Sequence, residues 1–327
     1  MTIASRLLSR LGIALVAGLV LATSGVLAAD YPNKPLQLMV SYPPGGATDF
    51  QARIVTMMAD NYLKEPIVII NKAGAGGQVG WNWFASSASK DGYDLGAYNL
   101  PHFIAQSIVF KTKYNIDNVE PIANWGADPA VLIVPKNSPF NSVKDLVDYA
   151  KKNPGKITVS GGGLYIGHHI AMLQLAKAAG IKLTYVPAKG GVPAMQMVLG
   201  SKVMAGFNNL SDAFRSQDRL KILAIADNER NKEFLPNVPT FKESGIDVDD
   251  SSVNFRGIMV PKGTPQAVIA MLSTNVPKMF DDKKVISKMK AGGSPLRVMT
   301  REQVQKMFKD RKVYLEALLK ELRSKKK

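Results

Sequence analysis

Leu36-Gln37-Leu38-Met39-Val40 runs into Ser41-Tyr42-Pro43-Pro44-Gly45-Gly46-Ala47-Thr48-Asp49, and the chain reads as helix from Phe50 onward. This pattern, an apolar strand-like run ending in a glycine-rich turn and passing at once into a helix, recurs twice. Ile157–Val159 leads into Ser160-Gly161-Gly162-Gly163, with helix-like sequence by Ile170. Leu183–Val186 leads into Pro187-Ala188-Lys189-Gly190-Gly191, and Pro193 suits a first helical turn. Such junctions leave backbone N–H groups unsatisfied at helix starts, where the helix dipole is positive. Glycine lets a ligand come close to that backbone. Several of these turns facing one crevice would make an anion site from main chain.

Strand-like runs alternate with helix-like runs through most of the chain. Leu36–Val40, Ile67–Ile70, Leu95–Tyr98, Val131–Val134, Ile157–Val159, Leu183–Val186, Val203–Phe207, Ile222–Ala226 and Gly257–Val260 read as strands. Ser142-Val143-Lys144-Asp145 reads as a capping-box helix start, and Thr264-Pro265 places a cap before a proline at the first helical position. Thr300-Arg301-Glu302-Gln303 opens a terminal helix predicted to reach about Leu322. Alternation of this kind points to an α/β architecture with mainly parallel sheets. A crossover near Ala127–Val131 and a return near Ser252–Gly257 divide the chain into one domain built from both ends and a second inserted between them.

The N-terminus reads as a secretory signal over residues 1–28. Arg6 and Arg10 form a positive region, Leu11 to Ala22 an apolar core, and Val26-Leu27-Ala28 a small-residue cleavage pattern. The apolar run is shorter than the ~20 residues that span a bilayer. The chain has no cysteine, which excludes a disulfide framework and thiolate metal sites. With 42 lysines and arginines against 26 acids, its net charge is +16. Removal of the signal takes away two arginines and no acid, so the mature chain stays strongly basic. No DNA- or RNA-binding motif accompanies that charge, so a nucleic-acid partner is not expected. Attraction to an acidic membrane surface, steering of a small anion and a plain solvated basic surface all remain compatible with it. The tail Arg323-Ser324-Lys325-Lys326-Lys327 fits the last of these.

Several blocks stand in a fixed order along the chain. The first is Tyr31-Pro32-Asn33-Lys34-Pro35 with Pro44-Gly45-Gly46-Ala47-Thr48-Asp49 and Ala52-Arg53. Asn71-Lys72-Ala73-Gly74-Ala75-Gly76-Gly77 with Asp91-Gly92-Tyr93 follows, then Val186-Pro187-Ala188-Lys189-Gly190-Gly191 with Pro193-Ala194 and Leu199-Gly200. Leu235-Pro236-Asn237-Val238-Pro239-Thr240-Phe241 with Glu243-Ser244-Gly245, Arg256-Gly257 and Pro261-Lys262-Gly263-Thr264-Pro265 complete the series. Together these blocks resemble the Bug family, the solute-binding proteins of tripartite tricarboxylate transporters. The resemblance implies a two-lobed periplasmic binding protein fold of type II, each lobe a mainly parallel sheet flanked by helices. Lobe 1 would comprise residues 29–130 and 254–327, and lobe 2 residues 131–253. It implies a monomeric periplasmic receptor, not an enzyme, that needs no cofactor. Its ligand would be a small organic carboxylate, di-/tricarboxylic or aromatic, delivered to the membrane subunits of a tripartite transporter.

Carried over residue by residue, the resemblance places Tyr42, Gly46, Ala47 and Asp49 at the ligand from lobe 1. It places Ser160, Gly162, Tyr165, His168, Lys189 and Asn208 there from lobe 2. His102, in the segment Tyr98 to His102, and Phe255 would line the cleft as well. This chain departs from common family patterns at Tyr98–His102 and at Asn208, where many members carry aspartate. Loss of that charge favours an anionic group over an ammonium.

Each of these residues also has a plainer role open to it. Asp49 suits a first-turn acid at a helix start, Lys189 a solvated loop, and Arg256 a brace at the domain crossover. His168-His169 suggests metal only weakly without cysteine or nearby acids. Of Trp81 and Trp83, at least one should pack in the core. Gly74-Ala75-Gly76-Gly77 fails the dinucleotide fingerprint at Val79 and reads as a turn. A carboxylate sensor feeding a signalling system, and an exported hydrolase or dehydrogenase on the same layout, are the alternatives; no nucleophile elbow, HExxH motif or Walker loop supports the latter.

Overall fold

The computed structural model describes residues 31–324. The expected signal sequence lies outside the described residues. With elements numbered along the chain, a six-stranded sheet has the order β11-β4-β10-β3-β1-β2. Its members are β1 (Leu36–Val40), β2 (Ile67–Asn71), β3 (Asp94–Leu100), β4 (Val119–Asp128), β10 (Asn254–Pro261) and β11 (Leu296–Met299). A five-stranded sheet has the order β7-β6-β8-β5-β9. It comprises β5 (Ala130–Pro135), β6 (Thr158–Gly161), β7 (Thr184–Pro187), β8 (Ala205–Asn209) and β9 (Leu220–Ala226).

The α/β expectation holds, with four strands of each sheet sharing one direction and the minority running against them. β1 pairs parallel with β2 and β3, while β10 runs antiparallel to β3 and β4, and β11 antiparallel to β4. In the second sheet β6 is parallel to β7 and β8, and β5 is antiparallel to β8 and β9. The reason is the double crossing of the chain. β4 ends at Asp128 in the first sheet and β5 begins at Ala130 in the second, so each incoming strand enters against the direction of its neighbours. The chain comes back through the 3-10 turn Asp250–Ser252 into β10.

β4 and β11 were not anticipated. β4 reads Val-Glu-Pro-Ile-Ala-Asn-Trp-Gly-Ala-Asp, with proline, glycine and polar residues that disguise a strand. Pro121 is accommodated beside a register shift between Ile258 and Met259.

The helices that matter for the site each follow a strand. They are α1 (Ala47–Val55), α4 (His102–Val109), α6 (Gly167–Ala178), α7 (Gly191–Leu199) and the short α8 (Leu210–Phe214), after β1, β3, β6, β7 and β8 respectively. The Ser142–Asp145 capping box forms as expected: Asp145 N–H donates to Ser142 Oγ at 3.1 Å and Ser142 N–H to Asp145 Oδ2 at 3.0 Å. Thr264 does not cap; the following helix starts at Gln266 with Pro265 as its N-cap. The terminal helix α11 (Arg301–Ser324) buries Val304, Met307, Phe308, Leu315 and Leu319, but leaves Val313 exposed. It packs near the crossover, where Arg311 pairs with Asp250 at 2.7 Å. No helix among the described residues is long and apolar enough to cross a membrane.

Both crossings are tied by one buried ion pair. Arg256 Nη1 lies 2.7 Å from Asp128 Oδ2, and both side chains are wholly shielded from solvent. Arg256 lies on the strand that returns and Asp128 ends the strand that leaves. Asp128 also accepts from Gln51 Nε2 at 3.1 Å and from Ser211 N–H at 3.1 Å, the latter at the start of α8. Removing one member of a buried, hydrogen-bonded pair strands the other charge, at a cost of about 3–5 kcal/mol. We therefore expect Asp128→Ala to lower unfolding free energy by about that amount in a denaturant titration; a loss below about 1 kcal/mol would show that the pair is dispensable.

Candidate functional site

A cavity of about 30 Å³ lies between the two sheets, lined by Tyr42, Pro43, Gly46, Ala47, Thr48, His102, Ile166, His168, Gly191, Val192, Asn209 and Asn254. Four helices begin at it. Gly46 is the N-cap of α1, Pro101 of α4, Ile166 of α6 and Gly190 of α7. The first N–H groups of a helix have no partner within it, so these starts bring donors and positive dipole ends to one point. No acidic side chain lines the cavity. Asn209, which caps α8, reaches it as well.

The buried ion pair underlies this arrangement. Arg256 Nε donates to Thr48 Oγ1 at 3.1 Å and Arg256 Nη2 to Asn209 Oδ1 at 2.9 Å. Thr48 belongs to the first sheet's side and Asn209 to the second's, so one guanidinium fixes a lining residue from each half. Gln51 Oε1 accepts from Arg256 Nη1 and from Trp125 Nε1, each at 3.1 Å. Arg256 thus braces the crossover.

The halves touch above the cavity. Gln106 Nε2 donates to Leu164 O at 3.0 Å. Gly76 and Gly163 meet so closely that a Cβ on Gly163 would lie 3.0 Å from Gly76 Cα. Here Gly74–Gly77 forms a turn, as expected, with Tyr42 Oη donating to Gly76 O at 2.9 Å. At about 30 Å³ the cavity is narrow as the halves stand in this structure.

The expected site residues separate into two groups. Tyr42, Gly46, Ala47, His102 and His168 come together at the cavity. Gly162 stands just behind it, its N–H donating to His168 Nδ1 at 3.1 Å. Asp49 does not line the cavity. It accepts from Gly45 N–H at 2.8 Å and pairs with Arg53 at 3.0 Å, shaping the turn as a first-turn acid does. Ser160 Oγ donates to Ala194 O at 3.0 Å and Asn208 Nδ2 to Gly191 O at 2.9 Å, so both hold the α7 turn from behind. Tyr165, at φ +52°, packs edge-on to Phe110 and His169, away from the cavity. Lys189 is exposed and outside the lining.

Phe255 also lies elsewhere, in a separate surface groove with its ring beside Arg297 and Arg311. Strand geometry explains it: Asn254 and Arg256 share one face of β10, and Phe255 points to the other. Trp81 is fully buried with Nε1 bonded to Ala97 O, and Trp83 lies under Lys72 Nζ at 4.2 Å, outside the cavity lining. Among the lining residues, Pro43, Thr48, Ile166, Gly191, Val192, Asn209 and Asn254 were not anticipated. Gly191 was within reach, since it closes the third glycine turn, and Asn254 was within reach by the two-residue period of β10.

Burial, with Arg256 nearby, holds the His168 ring neutral, bringing its pKa down from 6.5 to about 4 despite opposing help from Asn209 and Asp128. His102 is likewise held well below 6.5, by burial first and by His168 and Arg256 next. The unfolded chain protonates a histidine near pH 6.5, the folded chain takes up His168's proton only near 4. The unfolded state thus binds more protons in that window, so stability falls as pH drops through it. His169 is distinct: it stacks on Tyr185 at 4.3 Å and its Nδ1 accepts from Tyr165 N–H.

Comparison with known proteins agrees with this architecture. Residues 51–323 match the model of the tripartite tricarboxylate transporter family receptor. The chain is 32% identical over 268 residues to a UPF0065 protein in the gbd 5' region of Cupriavidus necator, covering 81% of this chain and 80% of that one. It is 30% identical to protein BugT of Bordetella pertussis, covering 90% and 92%. Among solved structures, the periplasmic binding protein BugD superposes with a TM-score of 0.82 at 28% identity, over 89% of this chain and 98% of that one. MatC from Rhodopseudomonas palustris with bound malate superposes at 0.81 with 24% identity, over 88% and 99%. The fold is the two-lobed periplasmic binding protein fold.

The neutral, buried His168 makes a measurable difference. Thermal midpoints of the wild type should fall between pH 6.5 and 4, and the fall should be smaller in His168→Gln. Parallel curves for the two proteins would show that His168 titrates normally.

Proposed function

We propose that this chain, which belongs to the tripartite tricarboxylate transporter receptor family, captures a small organic carboxylate between its lobes and delivers it to that transporter's membrane subunits. The supporting observation is the convergence of four helix starts from both sheets on one cavity without an acidic side chain. Preorganised main-chain donors suit a carboxylate and oppose a cation. The matched family consists of binding proteins rather than enzymes, and this reading treats the chain as a receptor.

In this reading the lobes are residues 29–130 with 254–327, and residues 131–253. The Pro129 and Asp250–Val253 crossings act as hinges. Parting of the Gln106–Leu164 and Gly76–Gly163 contacts admits the ligand, and its bridging of both lobes favours the closed form. Residues 1–28 direct export, so the receptor works in the periplasm. A carboxylate held through backbone N–H groups leaves the rest of the acid to Tyr42, Ile166 and Val192, an apolar surround typical of ligand sites.

A thermal-shift panel of mono-, di-, tri- and aromatic carboxylates tests the class. A ligand at ~100 times its dissociation constant adds about 2.7 kcal/mol, a shift of several degrees. No shift with carboxylates, and a shift with sugars or amines, would reject it. Gly46→Val should leave the fold intact, since a Cβ there meets only Pro43 O at 3.5 Å. It should nonetheless weaken binding at least tenfold by blocking approach to the α1 donors, about 1.4 kcal/mol; unchanged affinity would place the ligand elsewhere.

A further inference from the structure

Two imidazoles at the cavity each carry a buried nitrogen without a hydrogen bond of good geometry, with Asn209 standing beside His168. His102 Nδ1 and His168 Nε2 have no hydrogen-bond partner, although the residues are only 2% and 3% exposed. Both residues line the cavity. Orphaned polar atoms in a buried position are costly, and a ligand that bonds them recovers that cost.

The two rings are not equivalent. Gly162 N–H donates to His168 Nδ1 at 3.1 Å, so the neutral ring carries its proton on Nε2 and is a donor toward the cavity. Protonating His168 would place a second hydrogen against Gly162 N–H and lose that bond. His102 has no such constraint: its Nδ1 is open and can take a proton without losing a partner.

The charged groups around the pair come from several elements. Burial and Arg256 on β10 oppose protonation of both rings, and His168 opposes that of His102. Asp128 on β4 favours it at His168, but that carboxylate is already engaged by Arg256, Gln51 and Ser211. Tyr42 offers His102 a ring edge at 6.1 Å, with its hydroxyl turned to Gly76 O. Asp212 lies beyond Asn209 and pairs with Arg215. No side chain lining the cavity supplies a negative charge for a protonated His102. An anionic ligand would supply one.

We propose that His102 and His168 form a proton-coupled carboxylate subsite: a ligand carboxylate accepts from His168 Nε2–H while His102 takes a proton from solvent at Nδ1 and becomes the second donor. The proposal rests on the carboxylate-receptor reading and adds a linkage to it. The complex holds one more proton than the free protein. Affinity therefore rises as pH falls, by up to about tenfold per unit for one proton. The acid and the proton are captured together, so a pH drop loads the receptor and a rise unloads it.

Calorimetric titration of the full mature chain with malate, adipate and benzoate at pH 6, 7 and 8 tests this, run in both phosphate and Tris buffers. Benzoate stays ionised throughout this range, so proton uptake on binding it reports on the protein, and the two diacids are compared with it. Tighter binding at pH 6 than at pH 8, by fivefold or more, with buffer-dependent heats is the expected result. His102→Asn should bind more weakly at pH 6 than the wild type and lose both the pH dependence and the buffer dependence. Equal heats and a flat pH profile in the wild type would overturn the proposal while leaving the receptor reading intact. Full linkage retained in His102→Asn would overturn the assignment to His102. Should that variant misfold, the wild-type comparison of two buffers decides by itself. Failure of all three acids to bind at any pH, alongside a flat carboxylate panel, would remove the receptor reading and this proposal with it.

Discussion

The arrangement depends on a salt bridge that never meets water. Arg256 and Asp128 are wholly buried at the point where the chain passes between its sheets. Pairs of this kind are weak evidence for stability, because desolvation offsets most of the attraction. What this pair fixes is geometry. Four hydrogen bonds from one planar guanidinium are distributed over Asp128, Gln51, Thr48 and Asn209. Thr48 opens α1 and Asn209 opens α8, so the strand ends and helix starts of both halves are referred to a single group. An apolar replacement could fill the volume but would not orient those residues.

Given that anchor, the cleft follows from repeated local chemistry. A parallel strand that feeds a helix leaves the helix start at the sheet's carboxyl edge, which is where α/β folds bind ligands. Glycine at Gly46, Gly190 and Gly191 keeps that edge open to an incoming group. Beside the apolar Pro43, Ile166 and Val192, the polar side chains there are uncharged or held neutral: Tyr42, Thr48, Asn209, Asn254 and the two imidazoles. The field inside is therefore set by backbone dipoles, with the buried arginine offset by its aspartate. Net basicity elsewhere on the surface adds long-range attraction for anions, and salt screens it.

The sequence carried the architecture well and the cavity only in part. Glycine turns, strand–helix alternation and the Ser142 capping box are local signals, and each appears where expected. β4 was hidden because its stabilisation comes from β10 and β11 rather than from its own residues. Lys189 and Phe255 were assigned to the cleft from family resemblance. Their placement depends on loop course and strand parity, and parity alone would have exchanged Phe255 for Asn254. Asp49, Ser160 and Asn208 lie one layer behind the lining. Sequence marks such residues as polar near a turn, but cannot tell a group that shapes the turn from one that faces the ligand. The orphaned nitrogens of His102 and His168 were illegible, since a missing partner is a property of packing.

A crystal structure of the protein with whichever carboxylic acid stabilises it most tests the central claim directly. The expected density places a carboxylate within hydrogen-bond distance of helix starts from both halves, with Arg256 still paired to Asp128 beneath it. An acid held by one half alone, on an outer surface, or over a broken Arg256–Asp128 pair would contradict that claim.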